Sequence, residues 1–144
     1  MGEANPAFST YAIASIVIAL HMILLGLYTG TVRRRHKQYG NPEDAAFFKV
    51  PVTTEGDHAD VLRVKRAHAN ALENAVPFFA VGALFVTTSP SKSSALAYFG
   101  VFVAARLLHS LFYIWGKQPF RTIFFAIGML SVVGMAVHVL RFYV

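Results

Sequence analysis

The chain contains no cysteine, which removes disulfide cross-links, thiolate metal sites and a cysteine nucleophile from consideration. Charge is scarce as well: only 14% of the residues are Asp, Glu, Lys or Arg. A soluble domain carries about a quarter, so an ordinary water-soluble fold is excluded. Acidic groups are the rarer sign, 7 against 13 Lys and Arg, leaving a net charge of +6. That balance would suit a nucleic-acid binder, except that the basic residues crowd beside apolar segments, and no nucleic-acid partner is expected. The first apolar stretch lacks a basic segment ahead of it and is long enough to span, so it does not read as a cleaved secretory signal. Internal repeats and low-complexity tracts are also missing.

What is present is apolar surface. Hydrophobic residues make up 56% of the 144, and the mean hydropathy is +0.51. The expected fold is all-α, a four-helix transmembrane bundle forming one domain over 1-144, with spans at about 8-32, 62-88, 94-115 and 120-142. Between the first two spans lies a polar loop of about residues 33-61, and 8 of the 13 Lys and Arg fall between Arg33 and Arg66. An excess of positive charge marks the cytoplasmic side, which places both termini on the other. The expected localisation is therefore an integral, multi-pass membrane protein. Its membrane would be endoplasmic reticulum or mitochondrial outer membrane in a eukaryote and the inner membrane in a bacterium. Within the loop, Asn41-Pro42-Glu43-Asp44 predicts a turn or short helix, because proline and acidic residues suit a helix N-terminus. His21, alone in mid-span, is expected to be satisfied by a neighbouring helix.

The second span carries the most informative pattern. Arg66, Asn70, Glu73 and Pro77 fall within one narrow stripe at 100° per residue, and such groups are costly in hydrocarbon. They are expected to face a protein interior or a wet pocket. A second stripe, Arg106, His109, Ser110 and Tyr113, occupies the third span, and Arg121 and Thr122 open the fourth. Arginine suits planar, bidentate recognition of carboxylates, so arginines on several helices point to an anionic ligand. Asn70 and Glu73 could hold an amide and an ammonium, which together fit a small peptide with two carboxylates and a free amine. A plainer alternative stands beside this: Glu73 and Arg106 form one buried structural pair, and Arg33 to Lys37 meet anionic headgroups. No metal site is expected.

The runs RVKRAHANALENAVPFF, ARLLHSLFY and QPFR, with VRRRHKQYGNPEDA after the first span, resemble the MAPEG superfamily, the membrane-associated proteins in eicosanoid and glutathione metabolism. Within it the resemblance is to the branch of microsomal glutathione transferase 1 and microsomal prostaglandin E synthase 1, over nearly the whole chain. It implies a homotrimer with glutathione, a co-substrate, bound between subunits near the cytoplasmic face. Carried over by position, Arg33, Arg66, His68, Asn70, Glu73, Arg106, His109 and Tyr113 are the implied glutathione-binding or supporting residues. Arg121, Thr122 and Asp44 are the implied catalytic ones, Arg121 stabilising the thiolate. Three departures stand out: Ala69 where the synthase has a basic residue, Phe125 where it has tyrosine, and Thr122 where it has serine. They weaken the synthase assignment more than glutathione binding.

The expected activity is a membrane-bound glutathione transferase acting on lipophilic electrophiles, with reduction of lipid hydroperoxides from the same sulfur. The alternatives are a glutathione-dependent isomerase of the prostaglandin E synthase type and a non-catalytic lipid-binding scaffold. A small channel or transporter is a further reading, because buried charges also line ion paths.

Overall fold

The computed structural model describes residues 5–144. Its helices are α1 (Pro6–Arg35), α2 (Pro42–Phe47), α3 (Ala59–Thr87), α4 (Lys92–Ile114) and α5 (Phe120–Tyr143). All but α2 are long and apolar enough to cross a bilayer. The chain is an integral, multi-pass membrane protein, and its four long helices begin and end within about three residues of the expected spans, α3 and α4 stopping one residue short.

Local chemistry sets the helix ends. Asn5 caps α1, its side chain accepting from the Ala7 N–H at 3.0 Å with Pro6 next in line. Arg33, Arg34 and Arg35 fill the last turn of α1, where the helix dipole favours positive charge. Pro42, Glu43 and Asp44 open α2 as their chemistry requires. Ser91 caps α4 through the Ser94 N–H at 3.2 Å. Pro77 lies inside α3 without breaking it.

α3 and α4 form the middle of the bundle, each touching α1, α5 and the other, while α1 and α5 lie on opposite sides and do not meet. The core is aromatic: Phe78 stacks on Phe102 at 4.1 Å between ring centres, and Phe85 and Phe99 meet edge to face at 5.7 Å. α5 comes close to α4 because Gly134 has no side chain; a Cβ there would sit 2.6 Å from Tyr98 Cε1. Ser131 Oγ donates to the Tyr98 carbonyl at 2.7 Å and ties the same pair of helices. His21 meets its expectation, its Nε2 lying 2.9 Å from Ser110 Oγ on α4.

The outer surface inverts the soluble pattern. Ile13, Ile16, Leu20, Ile23, Leu24 and Leu27 of α1 are each more than half exposed, as a lipid-facing helix requires.

The segment between α1 and α3 is fastened at both ends. Tyr39 and Thr53 exchange two bonds, Thr53 N–H to Tyr39 O at 2.8 Å and Tyr39 N–H to Thr53 Oγ1 at 2.9 Å. The His58 N–H donates to Gln38 Oε1. Asp57 accepts from Lys65 at 2.8 Å and lies 3.7 Å from Arg33 Nη2.

Candidate active site

Because consecutive long helices run antiparallel, the C-terminal ends of α1 and α4 lie with the N-terminal ends of α3 and α5. This one end of the bundle gathers Arg33, Arg66, His109, Tyr113 and Arg121. The residues singled out from the sequence fall there into an interior pair, two flanking groups and an outward face.

The interior pair is Arg106 and Asn70. Arg106 is 2% exposed, and its Nη2 donates to Asn70 Oδ1 at 2.6 Å and to the Asn70 carbonyl at 3.1 Å. Gly128 of α5 leaves room for the arginine stem, since a Cβ there would sit 3.2 Å from Arg106 Cδ. The suggested Glu73–Arg106 pair does not form: Glu73 is exposed, and the amide one turn earlier takes the guanidinium. Helix geometry explains the choice. Ala67, Ala71, Ala75 and Phe78 set the buried face of α3, and Asn70 lies about 95° from its centre, against about 135° for Arg66 and 155° for Glu73. The expectation that the whole stripe faces inward is therefore corrected within the single chain: Asn70 is half-buried, while Arg66, Glu73 and Pro77 are exposed.

The first flanking group lies between α4 and α5. His109 is 3% exposed, and its Nδ1 lies 2.8 Å from the Arg121 carbonyl. A carbonyl only accepts, so Nδ1 carries a proton, and Nε2 is buried with no hydrogen-bond partner among the described residues. Its ring meets Tyr113 edge to face at 5.6 Å, and Arg121 lies over the Tyr113 ring with Cζ 4.7 Å from the centre. No carboxylate pairs with Arg121 among the described residues. Thr122 follows it on the exposed first turn of α5.

The second flanking group lies between α1 and α3. A cavity of about 350 Å³ is lined by Gly26, Thr29, Arg33, Lys65, His68 and Leu72. A neighbouring groove, also about 350 Å³, shares Arg33 and adds Arg34, Tyr39, Asp44 and Phe48. Arg33 thus stands between His68 on one side and Asp44 on the other. Asp44 is exposed and accepts from Asn41 Nδ2 at 3.1 Å. Arg33 Nε and Arg106 Nη1 are buried without hydrogen-bond partners among the described residues, polar groups that call for a ligand or water.

Two arrangements carried no clear signal in the sequence. Gln118, within the QPFR run, closes on Arg121 and Thr122 from one turn before. His36, His58 and Asp60 converge where α1 ends and α3 begins, with Asp60 Oδ2 3.3 Å from His36 Nε2 and 3.6 Å from His58 Nδ1. The spacing is near that of metal ligands, but the rings are stacked at 3.7 Å, which aims their in-plane lone pairs side by side. His58 Nδ1 also caps α3 by accepting from the Asp60 N–H at 3.1 Å, and Arg35 and Arg63 line the same cleft. The cluster fits a latch on the loop better than a cation site.

The single chain, then, brings His109, Tyr113, Arg121 and Thr122 together, and separately Arg33 with His68 and with Asp44. It turns Arg66 and Glu73 outward.

Comparison with known proteins adds a second line. The sequence model described as the MAPEG family matches residues 11–141. Microsomal glutathione S-transferase 1 of Rattus norvegicus is 37% identical over 148 residues, covering 96% of this chain and 90% of the relative. The Homo sapiens protein of the same name is 34% identical with the same coverage. Prostaglandin E synthase of Homo sapiens is 32% identical over 138 residues, 94% of this chain and 90% of the relative.

Proposed function

The chain belongs to the MAPEG family, and from that premise we propose that it is a membrane-bound glutathione transferase. It would hold glutathione at the Arg33 end of the bundle and present the ionised sulfur to lipophilic electrophiles. The observation that carries the reading is Arg121: a guanidinium at the start of a helix, stacked on Tyr113, with no carboxylate among the described residues to neutralise it. Relatives that cover nearly the whole chain and are named glutathione transferases give the reading its substrate.

A free thiol has a pKa of about 8.5, so only a few per cent is ionised at neutral pH, and the thiolate is the nucleophile. A cation near the sulfur favours the charged form, and the N-terminal end of α5 adds a positive dipole at the same place. The thiol proton leaves to solvent before the encounter. Sulfur then attacks an electrophilic carbon, forming the C–S bond as the leaving group departs with its electron pair. Peroxide reduction would use the same thiolate, which attacks the peroxide oxygen and releases the alcohol, and a second glutathione then displaces water from the resulting sulfenic acid to leave glutathione disulfide. Apolar second substrates already partition into the bilayer and reach the bundle laterally.

The two flanking groups lie on opposite sides of one protomer, so one tripeptide would need residues from two subunits. The outer face of α3 supports association: Arg66, Ala69, Glu73, Val76, Ala80 and Ala83 are exposed at alternating spacings of three and four, a coiled-coil seam with small residues. A homotrimer would set α3 of each subunit at the centre and join an α1–α3 face to a neighbour's α4–α5 face. Arg33, Arg66, His68, Asn70 and Glu73 would hold the peptide, supported by Arg106 and His109. Tyr113 would line the site and Asp44 would border it. The host organism decides which membrane holds the protein.

Titration calorimetry with glutathione, and conjugation of a halogenated aromatic by the purified protein, test this reading. Arg121→Ala should lose conjugation while the oligomer persists. Full activity in that variant would overturn the role of Arg121. The prostaglandin E synthases among the relatives favour one second reading, isomerisation of a lipid endoperoxide. Product analysis with an endoperoxide as substrate separates the two.

A further inference from the structure

We infer that Gln118 is a positioning residue, its carboxamide setting the direction of the Arg121 guanidinium and of the Thr122 hydroxyl hydrogen together. The inference rests on the reading that Arg121 and Thr122 serve a glutathione sulfur.

The side-chain amide of Gln118 lies against both groups in the first turn of α5. Its orientation is decided by chemistry, because arginine has only donors. With the oxygen facing the guanidinium, Gln118 accepts from Arg121 Nη2 at 2.7 Å and from Nε at 3.2 Å, while its NH₂ donates to Thr122 Oγ1 at 3.1 Å. The reverse orientation would set donor against donor at Arg121. Three further contacts fix the surroundings: Arg121 Cζ lies over Tyr113 at 4.7 Å, His109 holds the Arg121 carbonyl at 2.8 Å, and the Arg121 N–H donates to the Lys117 carbonyl at 3.3 Å.

Two consequences follow from counting hydrogens. The amide takes one edge of the guanidinium, Nε and Nη2, so Nη1 stays free to meet an anion. Thr122 Oγ1 accepts from the amide, so its own hydrogen is free to donate outward. Were Gln118 absent or turned round, Arg121 would swing more widely, and Thr122 could spend its hydrogen on the amide oxygen. A thiolate needs both groups as donors, and one neutral side chain supplies that condition without cancelling the arginine's charge. A carboxylate at 118 would hold the guanidinium as well but would neutralise it, and it can only accept, which would claim the Thr122 hydrogen.

The test compares the wild type with Gln118→Ala and Gln118→Glu in the full-length protein. Arg121 reactivity toward phenylglyoxal, read by mass spectrometry, reports the clamp without reference to glutathione. Thiolate absorbance against pH and steady-state conjugation report the chemistry. Gln118→Ala should label several-fold faster at Arg121 and lose about ten- to hundredfold in kcat, with KM for glutathione within about twofold. Its thiolate midpoint should move up by about one pH unit. Gln118→Glu should keep the slow labelling yet move the midpoint up by at least as much, a split that a purely structural role would not give. Unchanged labelling in Gln118→Ala would overturn the clamp. Faster labelling with a wild-type midpoint and turnover would overturn the positioning role. Absence of bound thiolate in the wild type, with the labelling difference intact, would refute the glutathione reading and the positioning role with it, leaving only the contact.

Discussion

Removing the Asn70 side chain is the most direct probe of how the bundle tolerates a buried guanidinium. Arg106 is 2% exposed, and Asn70 Oδ1, at 2.6 Å, is the only side-chain acceptor it has among the described residues. Asn70→Ala leaves the Asn70-position carbonyl at 3.1 Å as the remaining acceptor of Nη2. Neutral interhelical hydrogen bonds in membranes are worth about 0.6 kcal/mol on average. A bond to a charged group is worth about 1.5–3 kcal/mol, and this one is short and made by a buried guanidinium, so the larger range applies. For a chain of this length that corresponds to a fall of about 4–10 °C in midpoint. The assay is thermal unfolding in one detergent, followed by helical circular dichroism, for Asn70→Ala, Arg106→Met and the double variant. Arg106→Met removes the charge that Asn70 serves, so Asn70→Ala in that background should cost much less, giving a coupling of about 1.5–3 kcal/mol. Asn70→Asp should melt no lower than wild type, because a carboxylate then faces the arginine. A coupling at or below about 0.6 kcal/mol would refute the reasoning, for it would mean that water rather than Asn70 solvates Arg106.

The packing and the polar ties make further predictions. Gly134→Ala should push Tyr98 from its place and cost about 1–3 kcal/mol, because the new Cβ would lie 2.6 Å from Tyr98 Cε1; Tyr98→Leu alongside it should restore part of the loss. Ser110→Ala should cost about 1–3 kcal/mol by orphaning His21, and adding His21→Leu should recover most of it, both read as melting midpoints. Phe78→Ala should cost about 3–5 kcal/mol, since Phe78 is fully buried and stacked on Phe102.

Much of this architecture was legible in the residues. Long apolar runs bounded by Arg33–Lys37, Ser89-Pro90 and Gly116–Pro119 could form little but membrane helices, and Asn-Pro-Glu-Asp carries its own helix start. The His21 partner could be anticipated as a need, though not as Ser110, because register between helices is set by the packing of both. The direction of the α3 stripe was harder. Arg66, Asn70 and Glu73 look equivalent when the stripe is viewed alone, and they separate only once the alanine-rich face is known to be the buried one. Gln118 stayed out of view for another reason. A glutamine in a turn is ordinarily a solvent-exposed filler, and only coordinates reveal that it reaches both neighbours on the next turn.

The turn from Thr88 to Ser91, at the rim opposite Arg121, carries none of the residues assigned to chemistry. Thr88 and Pro90 are tucked in, but Ser89 and Ser91 are open. A fluorophore, affinity handle or crystallisation partner grafted at Ser89, which unlike Ser91 caps no helix, would ride across the bilayer from the proposed glutathione site. Such a reporter could follow assembly or lipid surroundings in working protein without touching turnover.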